Sequence, residues 1–309
     1  MAIPAPRALA PARPETPART GAWLTDLMLL VMALLWGVNF SVVKYGTGVL
    51  PPLAFNALRV ALATAVLGGL ALFLRAQRPS RADAARLALL GLLGHGVYQL
   101  CFIQGVARSS VATSALVLAS SPALIGLAGR LLGVERPTRR AWAGIALQLL
   151  GMVGVVLGSA VQPNAAAESP LVGALILLAG AASWAFYAVL LKPFTQRVHP
   201  IHLSAYTLLG GVGVLVGLGT PALLALDASA VPLPGWGAVA YAGLAAMVLA
   251  YLFYYRGVRV LGPVRTAMYS NLQPLIAMAF AYLTLREVPT AWQLGGAAAI
   301  TTGLLVSRK

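Results

Sequence analysis

Apolar runs of about twenty residues, broken by Pro, Gly and clusters of charge, recur from end to end of the chain. A helix needs about 20 mostly apolar residues to cross roughly 30 Å of hydrocarbon. At that length the pattern predicts ten transmembrane helices, over residues 26–46, 52–74, 84–105, 110–131, 140–159, 170–191, 201–222, 235–255, 264–285 and 289–307. The intervening segments are short and leave no room for a soluble domain. Residues 1–25 depart from the pattern. Five prolines and three arginines precede Trp23, which argues against a helix and predicts a disordered cytoplasmic tail. The first apolar run that follows is too long for a cleaved signal peptide and reads as a permanent anchor.

Composition agrees with lipid as the solvent. Of 309 residues, 60% are hydrophobic and 9% charged, against about 25% charged in a soluble domain. The net charge of +15 would suggest nucleic acid if it lay in one patch. Here the basic residues lie between the apolar runs and act as topology signals, so no nucleic-acid partner is expected. Placing the N-terminus inside puts the tail arginines, Arg75/Arg78/Arg81/Arg86, Arg130/Arg136/Arg139/Arg140, Lys192/Arg197, Arg256/Arg259/Arg265 and Arg308/Lys309 on the inner side. The outer side keeps only Lys44, Arg108 and Arg286, and Arg59 falls inside a span. Retention of positive charge in the cytoplasm then predicts a multi-pass protein of the cytoplasmic (inner) membrane with both termini cytoplasmic.

The chain also repeats itself. Trp36, Lys44 and Pro52 recur as Trp184, Lys192 and Pro200, 148 residues later. Gly105, Ala115, Pro122, Glu135, Gly144 and Gly151 recur as Gly257, Ala267, Pro274, Glu287, Gly296 and Gly303, 152 residues later. Each copy holds five predicted spans, 26–159 and 170–307. An odd number inverts the second copy relative to the first. The charges agree, because the turn at Glu135 is flanked by four arginines and its counterpart at Glu287 by Arg286 alone. Inverted repeats around a central cavity are an architecture of secondary transporters, with the site near mid-membrane.

The motifs LLWGVNFSVVKYG (34–46) and PPLAFNALRVALA (51–63) carry a family resemblance. So does the block GVARSSVATSALVLASSPALIGLAGRLLGVERPT (105–138) with its echo GVRVLGPVRTAMYSNLQPLIAMAFAYLTLREVPT (257–290). On these residues the chain resembles the EamA-type ten-helix members of the drug/metabolite transporter superfamily, over about 26–307. The resemblance implies two bundles around one cavity, alternating access, and export of metabolites, amino acids or drugs.

Ionisable groups within a bilayer are costly and read as functional. All seven acidic residues fall at span ends or in loops, so a proton-coupled exporter built on a buried glutamate finds no residue. A uniporter is the favoured expectation; proton coupling through His95, the mid-span group that titrates near neutrality, is the alternative. Arg59, about 10 Å into the second span at 1.5 Å per residue, is placed to attract a substrate carboxylate or phosphate, or to snorkel. His95, Tyr98, Gln99 and Phe102 share one helix face. Trp36 and Asn39 are matched by Trp184 and Tyr187. Arg265, Tyr269 and Gln273 form a further polar stripe opposite Thr113, Ser120 and Ser121, with Asn271 beside it, and Tyr251 and Tyr254 add hydroxyls. The candidate substrate-binding set is therefore Asn39, Arg59, His95, Tyr98, Gln99, Ser120, Trp184, Tyr187, Tyr251, Tyr269 and Gln273. Pro122 and Pro274, at matching mid-span positions, are candidate hinges. The expected partners are a small-molecule substrate and the bilayer, with the protein a monomer or homodimer. One cysteine and three scattered histidines predict no metal site and no cofactor; a membrane-embedded enzyme, which these and the missing mid-span carboxylates argue against, and a sensor or channel are the rival classes.

Overall fold

The computed structural model describes residues 19–73, 77–134, 137–161, 169–261, 266 and 269–307. Among the described residues the chain is helical throughout, without strands. Eight helices are long and apolar enough to cross a membrane. They are α1 (Arg19–Val49), α2 (Pro52–Phe73), α3 (Arg81–Arg108), α4 (Val111–Leu131), α5 (Arg139–Val161), α6 (Pro170–Thr195), α7 (Pro200–Leu224) and α8 (Leu233–Leu261). Two shorter helices, α9 (Gln273–Leu285) and α10 (Ala291–Ser307), follow.

Local chemistry explains the boundaries. Pro52, Pro170 and Pro200 open helices, where a missing N–H costs nothing. Ser80 and Ser110 cap α3 and α4 by accepting from the backbone N–H groups of Asp83 and Thr113. Helix α1 begins at Arg19, inside the stretch expected as a tail; residues 1–18, the rest of that stretch before the helix, lie outside the described residues. The predicted span 264–285 is described as helix only in part, and Arg265 and Glu135 fall outside the described residues.

Two helices change their winding midway. Leu92–Val97 in α3 and Tyr241–Leu249 in α8 are π-helical, and these segments end 152 residues apart. Such turns shift carbonyls out of register, and buried backbone groups need partners. Each π segment receives one from a distant helix. Ser183 Oγ on α6 donates to Leu93 O at 2.8 Å, and Trp36 Nε1 on α1 donates to Ala246 O at 2.9 Å. Helix α4 is interrupted at Ser120, and a new helical segment begins at Ser121 with Pro122 in its first turn. A turn at 271–272 precedes α9, which likewise carries Pro274 in its first turn. Both prolines therefore start helical segments rather than kinking continuous helices.

The helices pack in pairs. α5 lies along α10 and α2 along α7; α3 packs on α6 and α7, and α1 on α8 and α9. α4 meets α6 and α9, and α2 also touches α8. Helices α5 and α10 approach to backbone contact. A Cβ on Gly144 would lie 2.4 Å from Gly303 O, and one on Gly303 2.6 Å from Gly144 O. Along the same seam Gly151 and Gly296 face each other, with a Cβ on either within 3.0 Å of the other's carbonyl. Two apolar cores result, one around Phe40, Val43, Phe55, Phe102 and Val111, the other around Val60, Leu67, Tyr187, Leu208 and Tyr251. Large apolar side chains such as Phe73, Leu89, Leu150, Leu224 and Leu283 cover the outside, a surface suited to lipid and not to water.

Candidate functional site

A cavity of about 180 Å³ lies where the two cores meet, halfway along the helices. Its wall takes Trp36, Asn39 and Phe40 from α1, Arg59 from α2, and Tyr98, Gln99 and Phe102 from α3. Helix α4 contributes Leu118, Ser121 and Pro122, α6 Trp184, and α8 Met247, Tyr251 and Tyr254; Ser270, Asn271, Gln273 and Pro274 complete it. Most of these positions occur in matched pairs. Trp36 and Trp184 are 148 residues apart, while Gln99/Tyr251, Phe102/Tyr254, Leu118/Ser270, Ser121/Gln273 and Pro122/Pro274 are each 152 apart.

Among the described residues Arg59 is the charged group of the wall, 1% exposed. Neutral dipoles hold its guanidinium. Nε and Nη2 donate to Asn56 Oδ1 at 3.0 and 2.8 Å, and Nη2 also donates to Gln99 Oε1 at 2.8 Å. The Phe102 ring lies 5.3 Å below the guanidinium carbon, within cation–π range. The Arg59 side chain therefore does not snorkel along α2; α3 fixes it toward the cavity. Asn56 is a site residue that sequence reasoning missed. Its i, i+3 spacing to Arg59 was the available signal.

An aromatic shell closes around this polar floor. Trp36 meets Tyr251 at 5.3 Å between centroids, and Tyr98 and Tyr187 each meet Trp184 at 5.0 Å. Of the expected set, Asn39, Arg59, Tyr98, Gln99, Trp184, Tyr251 and Gln273 come together in the wall, with both prolines. Four others lie outside it. His95 sits behind Trp184, Tyr187 and Tyr251, and neither ring nitrogen has a hydrogen-bond partner. Tyr187 fills the notch left by Gly94, and its hydroxyl meets that of Tyr255 at 3.2 Å. Ser120 turns into the helix break, donating to Val117 O at 2.6 Å and lying 2.9 Å from Met152 Sδ. Tyr269 donates to Asp26 Oδ1 at 2.8 Å, away from the cavity. Helical spacing found the right faces but could not say how far round each face the cavity reaches.

Among the described residues no group of His, Cys, Asp and Glu is placed to hold a metal ion, and no carboxylate lines the cavity. The wall is fit to bind a small molecule reversibly, with stacking surfaces, amides and one cation.

Comparison with known proteins matches the model of the EamA-like transporter family twice, over residues 23–157 and 171–308. The chain is 26% identical to an uncharacterized transporter, YyaM, of Bacillus subtilis, with 91% of this chain and 92% of that one covered. It is 29% identical to an uncharacterized inner membrane transporter, YedA, of Escherichia coli, over 81% of this chain and 79% of that one. A probable terminal-alkyne amino-acid exporter of Streptantibioticus cattleyicolor is 26% identical, over 91% and 92%. A solved crystal structure shares the fold with a TM-score of 0.62 at 23% identity, covering 92% of this chain and 98% of the other.

Proposed function

The chain belongs to the EamA-like transporter family, and on that footing we propose that it exports an amino-acid-sized, polar or amphipathic metabolite by alternating access. Membership makes it a membrane transporter and not an enzyme. One observation carries the finer reading: the cavity wall is built largely from residues matched across the two copies of the repeat. A chamber shared symmetrically by two copies can open to one side by a motion whose mirror opens it to the other.

Ten spans arranged as inverted repeats, 26–159 and 170–307, belong to this reading. The double family match supports it, as do the π segments ending at equivalent positions. The glycine seam does so most directly. Gly144 faces Gly303, and Gly151 faces Gly296, while Gly144 is equivalent to Gly296 and Gly151 to Gly303. Reciprocal contacts of this kind arise around a two-fold axis. The skew of positive charge toward one side orients both termini to the cytoplasm, and the inner membrane is the setting named for the relative in Escherichia coli.

A volume of about 180 Å³ is below the roughly 300–1,000 Å³ of drug-sized pockets, which favours a cargo of amino-acid size; the Streptantibioticus relative is named as an amino-acid exporter. Uniport is supported by the lack of a carboxylate in the wall and by the enclosure of His95 among rings. Reconstitution into proteoliposomes tests both points, with counterflow measured over a panel of amino acids and analogues. Saturable flux of an aromatic or aliphatic member, indifferent to an imposed pH gradient, is the expected result. Accumulation driven by that gradient at zero potential would replace uniport with antiport through His95. Absence of saturable flux across the whole panel, its deaminated and its decarboxylated analogues included, would overturn the carrier reading.

A further inference from the structure

We propose that the cavity selects a monoanionic aromatic carboxylate, and that its export is electrogenic, driven outward by the inside-negative membrane potential. This rests on the uniporter reading above and names its substrate class and energy source.

The argument begins with unspent donors. A guanidinium has five N–H groups and no acceptor, and in proteins it stays charged. Arg59 directs Nε and Nη2 to Asn56 and Gln99. Its Nη1 makes no hydrogen bond among the described residues, although the side chain is 1% exposed and forms part of the wall. Both N–H groups of Nη1 are thus free for a ligand. The neighbouring geometry has the same sign. Two helical segments start at the wall, with Ser121–Pro122 and Gln273–Pro274 as their first turns, and helix N-termini carry partial positive charge. Asn271 Nδ2, in the wall, is a buried donor without a partner. Asn39 Oδ1 is an unpartnered acceptor there, but it is neutral and offers an ammonium no compensating charge. A carboxylate on Arg59 cancels the one charge that the described residues place in the wall, in a low-dielectric setting where an uncancelled charge is costly. A zwitterion leaves the chamber at +1, and a cation raises it to +2. The rings of Trp36, Tyr98, Trp184 and Tyr251 provide stacking surface for a flat apolar body.

The charge balance over a cycle follows. The loaded carrier is neutral at its centre and crosses between states without working against the field. The empty carrier returns with the uncompensated positive charge of Arg59. Summed over the cycle, one negative charge leaves the cell per cargo molecule. A potential of 100 mV corresponds to about 2.3 kcal/mol per charge, or roughly a 50-fold concentration ratio. The carrier can therefore export uphill without a proton-binding acid, consistent with the absence of one from the wall.

Three probes of one shape test the proposal on the full-length protein in proteoliposomes at about pH 6, well below the roughly 7.7–8.0 of an α-amino group: phenylpyruvate, phenylalanine and phenylalaninamide, with net charges of −1, 0 and +1. Potassium gradients with valinomycin set the potential, and currents are recorded on a supported membrane. The expected result is saturable phenylpyruvate flux with a current of negative charge in its direction, accumulating toward about 50-fold at 100 mV. Arg59→Gln should lower that flux by about tenfold or more, and Arg59→Lys by less. The wild-type current decides even if both variants fail to fold. Phenylalanine flux exceeding phenylpyruvate flux, or phenylpyruvate flux without current, overturns the proposal and leaves the carrier reading standing. No flux of any probe overturns the proposal, and the wider amino-acid panel then reports separately on the carrier.

Discussion

Arg59 and Glu287 are both charges taken out of water, and they are held in opposite ways. Arg59 rests on neutral amides, which do not cancel its charge. Glu287, 4% exposed in the turn between α9 and α10, is committed to the fold. Its Oε2 accepts from the Val111 backbone N–H at 2.8 Å, at the N-terminus of α4, where a carboxylate complements the helix dipole. Nearby, Lys44 Nζ donates to the carbonyls of Val106, Ala107 and Ser109 at 3.4, 3.0 and 2.8 Å, complementing the C-terminal end of α3. Burial nevertheless pushes the Glu287 carboxyl above its ordinary value, outweighing the Val111 hydrogen bond and the attraction of Lys44. A raised carboxyl binds its proton more tightly in the folded state than in the unfolded chain. Its contribution to stability therefore falls as pH rises through the raised value. Glu287→Gln, a neutral side chain of the same shape, should match the wild type below the ordinary carboxylate range and surpass it at pH 7. Thermal midpoints of both proteins in detergent between pH 4 and pH 8 check this; a difference that does not change with pH contradicts it.

At the scale of elements, the α5–α10 seam is set by the absence of side chains. A Cβ on Gly303 would lie 2.6 Å from Gly144 O and 2.8 Å from Gln148 N. Neither backbone atom can rotate away, so the helices themselves must part. Gly303→Val should cost about 1–3 kcal/mol as an overpacked contact, seen as a lower thermal midpoint in detergent. Gly295→Val, on the same helix with no atom within 4 Å of its added Cβ, should leave the midpoint nearly unchanged. Equal losses would mean that helix propensity decides, not the seam. The apolar runs of the sequence located the eight membrane-length helices of the described residues, because lipid imposes length and composition directly. They carried no sign of the π segments, since Leu92–Val97 and Tyr241–Leu249 are apolar at every register apart from His95 and Tyr241. The break at Ser120 was likewise hidden. A proline announces a disturbed helix, but not whether the chain kinks there or starts anew. His95 lies in the π segment of α3, so a face read at constant period admitted it to the wall. Tyr187, admitted as the counterpart of Asn39, and Asn56, omitted behind Arg59, lie on the regular helices α6 and α2, where period alone does not say how far the cavity reaches.

For the molecule as a whole, the proposed opposed threading asks one chain to give two halves of opposite orientation, and the charges that would direct it lie far from the cavity. On that threading the basic residues at the ends of the spans decide which end of each helix stays in the cytoplasm, and through that which faces meet. The pairing of Gln99 with Tyr251, and of Phe102 with Tyr254, around one chamber is the arrangement that the proposed threading would produce. The halves differ where it matters chemically. Arg59 has Thr207 as its counterpart, and that hydroxyl is spent within its own helix on Leu203 O at 2.8 Å. A symmetric frame thus surrounds a site charged on one side, so the two orientations of a bound molecule are unequal. Opposed threading makes a direct prediction for the turns before α5 and α10. Val134 and Val288 are both well exposed, at 56% and 66%, and lie in the turns that contain Glu135 and Glu287. In a Cys101→Ser background, a cysteine at 288 should react with a membrane-impermeant thiol reagent in intact cells. A cysteine at 134 should react only after permeabilisation. Reaction of both from the same side would place the two turns together, and neither a shared two-fold chamber nor alternating access built on it would survive that result.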